Sequence, residues 1–253
     1  MKSIFGEKKH SGRPLIVAHR GASRIARENT LEAFEAAIES GADAIECDLR
    51  RTADGIIVVH HNATIPLTRR RISRLTWPEA CRLAHKRGYD LPTFEEAARL
   101  CHKRIALDLE LKETGYETEV VRQTFRFLDK KQVLFTSFND ASLTAIKEYD
   151  PEAKVGLLLG FRRGRTPAQR RRLFAKARLR ACGADVVLPH WQLVRFGFMR
   201  RMSALGLPVV TWTVDSPRRA ERLLNQGVTG IITNVPDRML KLVEKTTRRL
   251  SSD

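Results

Sequence analysis

Short apolar runs alternate with helix-spaced stretches along almost the whole chain, and this rhythm constrains the fold more than any other feature. The runs are Leu15–Arg20, Ala44–Leu49, Ile105–Lys112, Val133–Phe138, Lys154–Leu159, Asp185–Pro189, Pro208–Val214 and Gly230–Thr233. Between them lie Thr30–Ser40, Tyr116–Leu128, Ala141–Tyr149, Pro167–Ala181, Pro217–Gln226 and Pro236–Thr246, all with helical spacing. A helix between two strands returns the chain to the starting edge of the sheet, so the strands run parallel. Roughly eight such units in 253 residues predict an α/β chain folded as a (β/α)8 TIM barrel. A doubly wound open sheet is the alternative, but no glycine-rich fingerprint follows the first run.

Local signals refine this outline. The first helix is expected to open with Asn29 as N-cap and Glu32 three residues on, and to end at Gly41. The Asp54-Gly55 pair reads as a hairpin turn between the second strand and Ile56–His60. A short insertion over about residues 62–92 follows this hairpin, with partial helix before Pro92. We expect one barrel domain over 15–247, an N-terminal tail over 1–14 and a C-terminal tail over 248–253.

Composition excludes several classes. A hydrophobic content of 42% argues against extensive disorder. No apolar run approaches the roughly 18 residues needed to cross a bilayer, and Leu15–Ala18 is too short for a signal-peptide core. A cytoplasmic location is therefore expected. Cys47, Cys81, Cys101 and Cys182 are scattered with no C-x-x-C pair, which reads as reduced thiols. The net charge is +17, from 46 Lys+Arg against 29 Asp+Glu. Such an excess attracts polyanions, whether nucleic acid, anionic membrane or phosphate-bearing substrates. Much of it lies in arginine clusters at Arg69–Arg71, Arg162 to Arg165, Arg170–Arg172 and Arg248–Arg249.

Barrel sites lie at the C-terminal ends of the strands. The polar residues there are His19-Arg20-Gly21, Glu46, Asp48, Asp108, Glu110 and Lys112, with His60-His61 ending the hairpin and Trp212 on a later strand. Side chains alternate along a strand, so Glu46 and Asp48 share a face, as do Asp108, Glu110 and Lys112. Convergent buried carboxylates suit a hard divalent cation such as Mg²⁺ or Ca²⁺. The alternative is a salt-bridge network of Glu46, Asp48 and Glu110 with Arg20 and Lys112. His19 and His61 beside them suit proton transfer in both directions near neutral pH. His60 has the opposite strand phase and a non-catalytic role is expected. His190 ends another strand, where contact with substrate is the lesser reading beside a structural role, and Trp77 and Trp191 read as packing residues.

The ordered set His19-Arg20-Gly21, Glu28-Asn29-Thr30, Glu46-x-Asp48, Thr52-x-Asp54-Gly55, His61, Glu110-Leu111-Lys112, Ser137-Phe138, Thr211-Trp212-Thr213 and Gly230–Asn234 with Pro236 resembles the glycerophosphodiester phosphodiesterase family over about residues 15–240. The resemblance implies that His19 and His61 are the general acid and base. It implies that Glu46, Asp48 and Glu110 hold a divalent cation, and that Arg20 and Lys112 hold the phosphate. Glu28 matches a carboxylate near His19 and Arg20, and Trp212 an aromatic wall beside the glycerol. A glycerol hydroxyl would attack phosphorus to give a cyclic phosphate that water opens, leaving an alcohol and glycerol 3-phosphate.

Three residues depart from the family pattern. Arg27 stands where Pro is usual, Asn62 follows His61 where Asp is usual, and Asn234 replaces an Asp. If the acid at 62 orients the histidine or tunes the metal, its loss lowers activity. The insertion is also short for the family and leaves the mouth open to bulkier groups. The expected partner is a glycerophosphodiester or, in a lysophospholipase D-like variant, a lysophospholipid, with peripheral contact to an anionic membrane. Nucleic-acid binding on a weakened barrel is the reading of another class. The charge favours it, while the intact polar set and the lack of interleaved aromatics argue against it.

Overall fold

The computed structural model describes residues 13–160, 176–195 and 197–250. Eight parallel strands form the barrel wall: β1 (Leu15–His19), β2 (Ala44–Arg51), β4 (Ala106–Leu111), β5 (Val133–Ser137), β6 (Val155–Leu159), β7 (Val186–Pro189), β8 (Val210–Thr211) and β9 (Gly230–Thr233). Their order is β7-β6-β5-β4-β2-β1-β9-β8. Parallel bridges at Val187–Val209 and His190–Trp212 join β7 to β8 and close the circle. Strand β3 (Ile57–Val59) pairs antiparallel with β2, which is the expected hairpin.

The helices α1 (Leu31–Glu39), α2 (Trp77–His85), α3 (Phe94–Cys101), α4 (Glu117–Phe127), α5 (Asp140–Tyr149), α6 (Lys176–Ala181), α7 (Phe198–Ala204), α8 (Pro217–Asn225) and α9 (Pro236–Leu250) follow the chain. Of the expected helix Pro167–Ala181, the part before Lys176 lies outside the described residues. So do Arg162 to Arg165, Arg170–Arg172, residues 1–12 and residues 251–253. Arg13, assigned by sequence to the tail, is fixed to the barrel by a bidentate pair with Asp43 at 2.7 and 2.8 Å.

Strand alternation divides the core as the pattern demands. Leu15, Val17, Ala44, Ala106, Leu134 and Leu188 fill the barrel interior. Ile45, Cys47, Leu49, Leu107 and Leu109 point outward against the helices. The insertion has a small core of its own around Ile65, Ile72, Leu75 and Tyr89. Its helix α2 starts with a capping box between Thr76 and Glu79.

The N-cap of α1 is Thr30, not Asn29. The Thr30 side chain accepts from Ala33 N, while Asn29 adopts φ +58 and turns its amide to Asp48. Two adjacent cap-forming residues compete here, and a buried carboxylate decides between them.

Candidate active site

Strand register stacks the polar residues in rungs above the apolar barrel floor. Ala44 pairs with Ala106, then Glu46 with Asp108, then Asp48 with Glu110. On the other side of β2, His19 pairs with Glu46. All four carboxylates are buried, and ligand oxygens of Glu46, Asp48 and Glu110 lie within 4.8 Å of one another. Arg20 Nε is 3.1 Å from Asp48, and Lys112 Nζ is 3.1 Å from Asp48 and 2.7 Å from Glu110. Arg20 also holds Glu28 at the rim through Nη1, at 2.9 and 3.0 Å.

The carboxylates of the cluster are not equivalent. Two cations face three carboxylates, and Arg20 divides its charge between Asp48 and Glu28. Burial would raise the Asp48 carboxyl, but Lys112, Arg20, His61 and the Asn29 amide outweigh it and hold Asp48 down to about 2. Glu110 goes the other way, up to about 7, because burial together with the Asp48 charge exceeds what Lys112 offsets. Burial, Asp48 and Glu110 push Glu46 well up. Asp108 accepts from the Thr136 hydroxyl at 2.6 Å, and burial carries it up to about 8. Asp48 Oδ1 is buried and accepts no hydrogen bond, although Lys112 Nζ lies near it. Three convergent buried carboxylates fit a hard cation with oxygen ligands.

Both histidines are oriented by asparagine. His19 Nδ1 lies 2.8 Å from Asn234 Oδ1, and the Asn234 amide donates to Asp215 at 2.7 Å. That donation fixes Asn234 Oδ1 as an acceptor, so His19 carries its proton on Nδ1 and turns the Nε2 lone pair toward Glu46, 3.9 Å away. His61 Nδ1 lies 3.1 Å from Asn62 Oδ1. Burial, then the charge of Arg20, lowers the His19 pKa; burial lowers His61, with Lys112 and Arg20 outweighed in part by Asp48. Both imidazoles are therefore neutral at pH 7. The backbone of His61 is clasped by buried Arg50, whose Nε and Nη2 donate to the His61 carbonyl at 3.0 and 2.7 Å while Glu113 holds its Nη1.

Trp212 stands across the mouth and donates its indole N–H to Leu188 O at 2.8 Å. Phe138, 45% exposed, meets it edge-on at 5.6 Å, and His190 does so at 5.2 Å. A Cβ at Gly160 would come within 3.0 Å of Phe138 and 3.2 Å of Trp212, so glycine keeps this wall flat. The cavity below it holds ≈ 820 Å³ and is bordered by Glu110, Lys112, Ser137, Phe138 and Trp212. A smaller cavity carries Glu28, Asn29 and His61. His60 turns the other way, toward Asn62 O and Tyr89 of the insertion.

The structure thus brings His19, Arg20, Glu46, Asp48, Glu110 and Lys112 into one contact group, with Glu28 and His61 at its rim and Trp212 facing it. Sequence reasoning gave no site role to Asn29 or Arg50, and marked Asn62 and Asn234 only as departures from the family pattern, Asn62 at a position that could orient His61. Arg50 shares the phase of Glu46 and Asp48, which was a usable signal. The pairing of His19 with Asn234 spans 215 positions and left no local trace.

Comparison with known proteins follows the same outline. The model of the glycerophosphoryl diester phosphodiesterase family matches residues 19–238. A glycerophosphodiester phosphodiesterase of Caldanaerobacter subterraneus subsp. tengcongensis is 30% identical over 247 residues, covering 91% of this chain and 98% of that relative. One from Bacillus subtilis is 27% identical, covering 89% and 85%. Among solved structures, a glycerophosphodiester phosphodiesterase of Thermotoga maritima superposes with a TM-score of 0.73 at 25% identity, over 92% of this chain and all of that one. An Oleispira antarctica phosphodiesterase, solved with its product sn-glycerol 3-phosphate, superposes with a TM-score of 0.77 at 24% identity, over 92% and 98%.

Proposed function

The chain belongs to the glycerophosphoryl diester phosphodiesterase family, and from that membership we propose that it hydrolyses glycerophosphodiesters to an alcohol and glycerol 3-phosphate with a divalent cation. The observation that carries the proposal is the convergence of Glu46, Asp48 and Glu110, set beside His19 and His61. The three carboxylates would hold Mg²⁺ or Ca²⁺. When bound, the cation neutralises phosphate charge and polarises a phosphoryl oxygen.

The remaining work falls to side chains of this chain. Arg20 and Lys112 bind the phosphate oxygens, Arg20 as a fork and Lys112 as a point charge. Trp212 and Phe138 wall the glycerol, and Glu28 fixes the Arg20 guanidinium. One histidine in its neutral form accepts the proton of the attacking glycerol hydroxyl at its Nε2, and the other, entering the cycle protonated on both ring nitrogens, gives its Nε2 proton to the departing alkoxide. Water then opens the cyclic phosphate with the two roles reversed. The sequence of lone pair and proton is available because the Nδ1–H of His19 is already committed to Asn234. This arrangement supports His19 and His61 as the acid/base pair without assigning which acts first.

The test is release of glycerol 3-phosphate from glycerophosphocholine and from lysophosphatidylcholine, with Mg²⁺, Ca²⁺ or EDTA. Release that EDTA abolishes and either cation restores is expected. Release that EDTA leaves intact removes the metal, and no release from either substrate removes the activity.

A further inference from the structure

Two of the large apolar side chains exposed among the described residues, Ile25 and Leu67, stand on neighbouring loops at the barrel mouth, 66% and 86% exposed. The loops touch. Arg27 of the first stacks on Tyr89 of the insertion at 3.8 Å, and Arg27, Glu28, His61, Pro66 and Tyr89 border one cavity. A single exposed leucine needs no explanation. The charge around these two does. Arg24 and Arg27 flank Ile25, and residues 62–76 contain Arg69, Arg70, Arg71 and Arg74 with no acidic residue. All six arginines are exposed. Arg24, Arg69, Arg70, Arg71 and Arg74 form no ion pair with any described residue, whereas Arg99, Arg104 and Arg178 on the barrel flanks do.

Gathering a small soluble diester needs only the charge. A surface for single-stranded nucleic acid combines cations with stacking aromatics, and these two loops present no aromatic side chain; a duplex needs only the charge and leaves the exposed aliphatic tips without a role. Projecting aliphatic tips among unneutralised guanidinium groups match an interfacial segment instead. The tips enter the boundary of headgroups and acyl chains, and the arginines bind lipid phosphates.

We infer that the barrel mouth docks on an anionic lipid surface with Ile25 and Leu67 inserted, and, resting on the hydrolase reading above, that it meets there phosphodiesters of the lysophospholipid class. Docked in this way, the cavity shared by Glu28 and His61 borders the loops that carry both tips, so substrate reaches the site without crossing bulk water.

The full-length protein and two variants, I25S/L67S and R69Q/R70Q/R71Q, are co-sedimented with vesicles of phosphatidylcholine alone or with roughly a quarter phosphatidylglycerol, at about 50 mM and about 500 mM salt. The wild type pellets with anionic vesicles at low salt. Each basic residue at an anionic leaflet contributes about fivefold to partition, so the arginine variant binds ~100-fold more weakly. I25S/L67S binds about tenfold more weakly at either salt, because an apolar loss is not screened. All three hydrolyse soluble glycerophosphocholine at the same rate. The docking is overturned if the wild type pellets no better with anionic than with neutral vesicles, or if the arginine variant binds like wild type. If I25S/L67S pellets like wild type, the tips do not insert and the inferred docking mode is overturned, since charge alone then accounts for the binding. Vesicle binding without hydrolysis of any diester keeps the docking and removes the hydrolase reading. Hydrolysis without vesicle binding does the reverse.

Discussion

Replacing Gly21 with alanine tests how the first strand delivers His19 and Arg20 to the mouth. Gly21 follows them directly and adopts φ +84. A Cβ there would lie 2.6 Å from the carbonyl carbon and oxygen of Ala33 and 2.7 Å from its Cβ. Ala33 sits in the first turn of α1, and its carbonyl accepts from Ala22 N at 2.8 Å, so it cannot retreat without moving the helix. A left-handed backbone costs about 1–2 kcal/mol once a Cβ is present. Forcing a methyl into a packed site adds about 1–3 kcal/mol. Gly55→Ala is the control: its φ is +85, and nothing stands within 4 Å of its Cβ, so it carries the backbone cost alone. With a urea slope of about 3 kcal/mol per M, Gly55→Ala lowers the unfolding midpoint by about 0.5 M, and Gly21→Ala by ~1 M or more. Circular dichroism across a urea series reads both. Equal midpoints for the two variants would refute the close-approach reasoning and leave only the backbone effect.

His19→Ala and His61→Ala each lower kcat by about 10² or more; turnover near wild type in steady-state assays would remove that histidine from the mechanism. Glu46→Gln, Asp48→Asn and Glu110→Gln each weaken divalent-cation binding, since each removes an anionic oxygen from a small hard ion. Calorimetric titration reads this, and unchanged affinity in all three would return the cluster to a salt-bridge network. The same carboxylates make stability depend on pH. Glu110 rises from an ordinary value of 4.5 to about 7 in the folded metal-free protein, so its contribution is full below about 4.5 and is lost as pH climbs through about 7. Asp48 runs oppositely, with its contribution present above 3.8 and lost only as pH falls through about 2. Bound cation favours the ionised form of Glu110, so the rise in Tm on adding Mg²⁺ or Ca²⁺ is larger at about pH 8 than at about pH 5. Equal increments at the two pH values in thermal scans would contradict the shifted carboxyl.

The barrel and most of the contact group were legible because they follow from periods inside single elements. Eight apolar runs with helices between them leave few closures, and a two-residue period puts Glu46, Asp48 and Glu110 on one face without knowledge of any partner. Lys112 obeys the same rule. What stayed hidden depends on competition between elements. Asn29 and Thr30 are both cap formers, and only the buried Asp48 shows why Asn29 left the helix end. Arg13 looked like tail because its partner Asp43 is 30 positions away.

The two asparagines that depart from the family pattern gain meaning only from geometry. Each still presents an oxygen to the Nδ1 of its histidine, so the orienting contact persists while the negative charge is gone. A carboxylate there would favour the imidazolium form. The Asn234 amide oxygen also raises the His19 pKa, but burial and the charge of Arg20 outweigh it and keep His19 neutral. The charge of the site then lies on Arg20, Lys112 and Asp48, and a neutral His19 presents its Nε2 lone pair as a base.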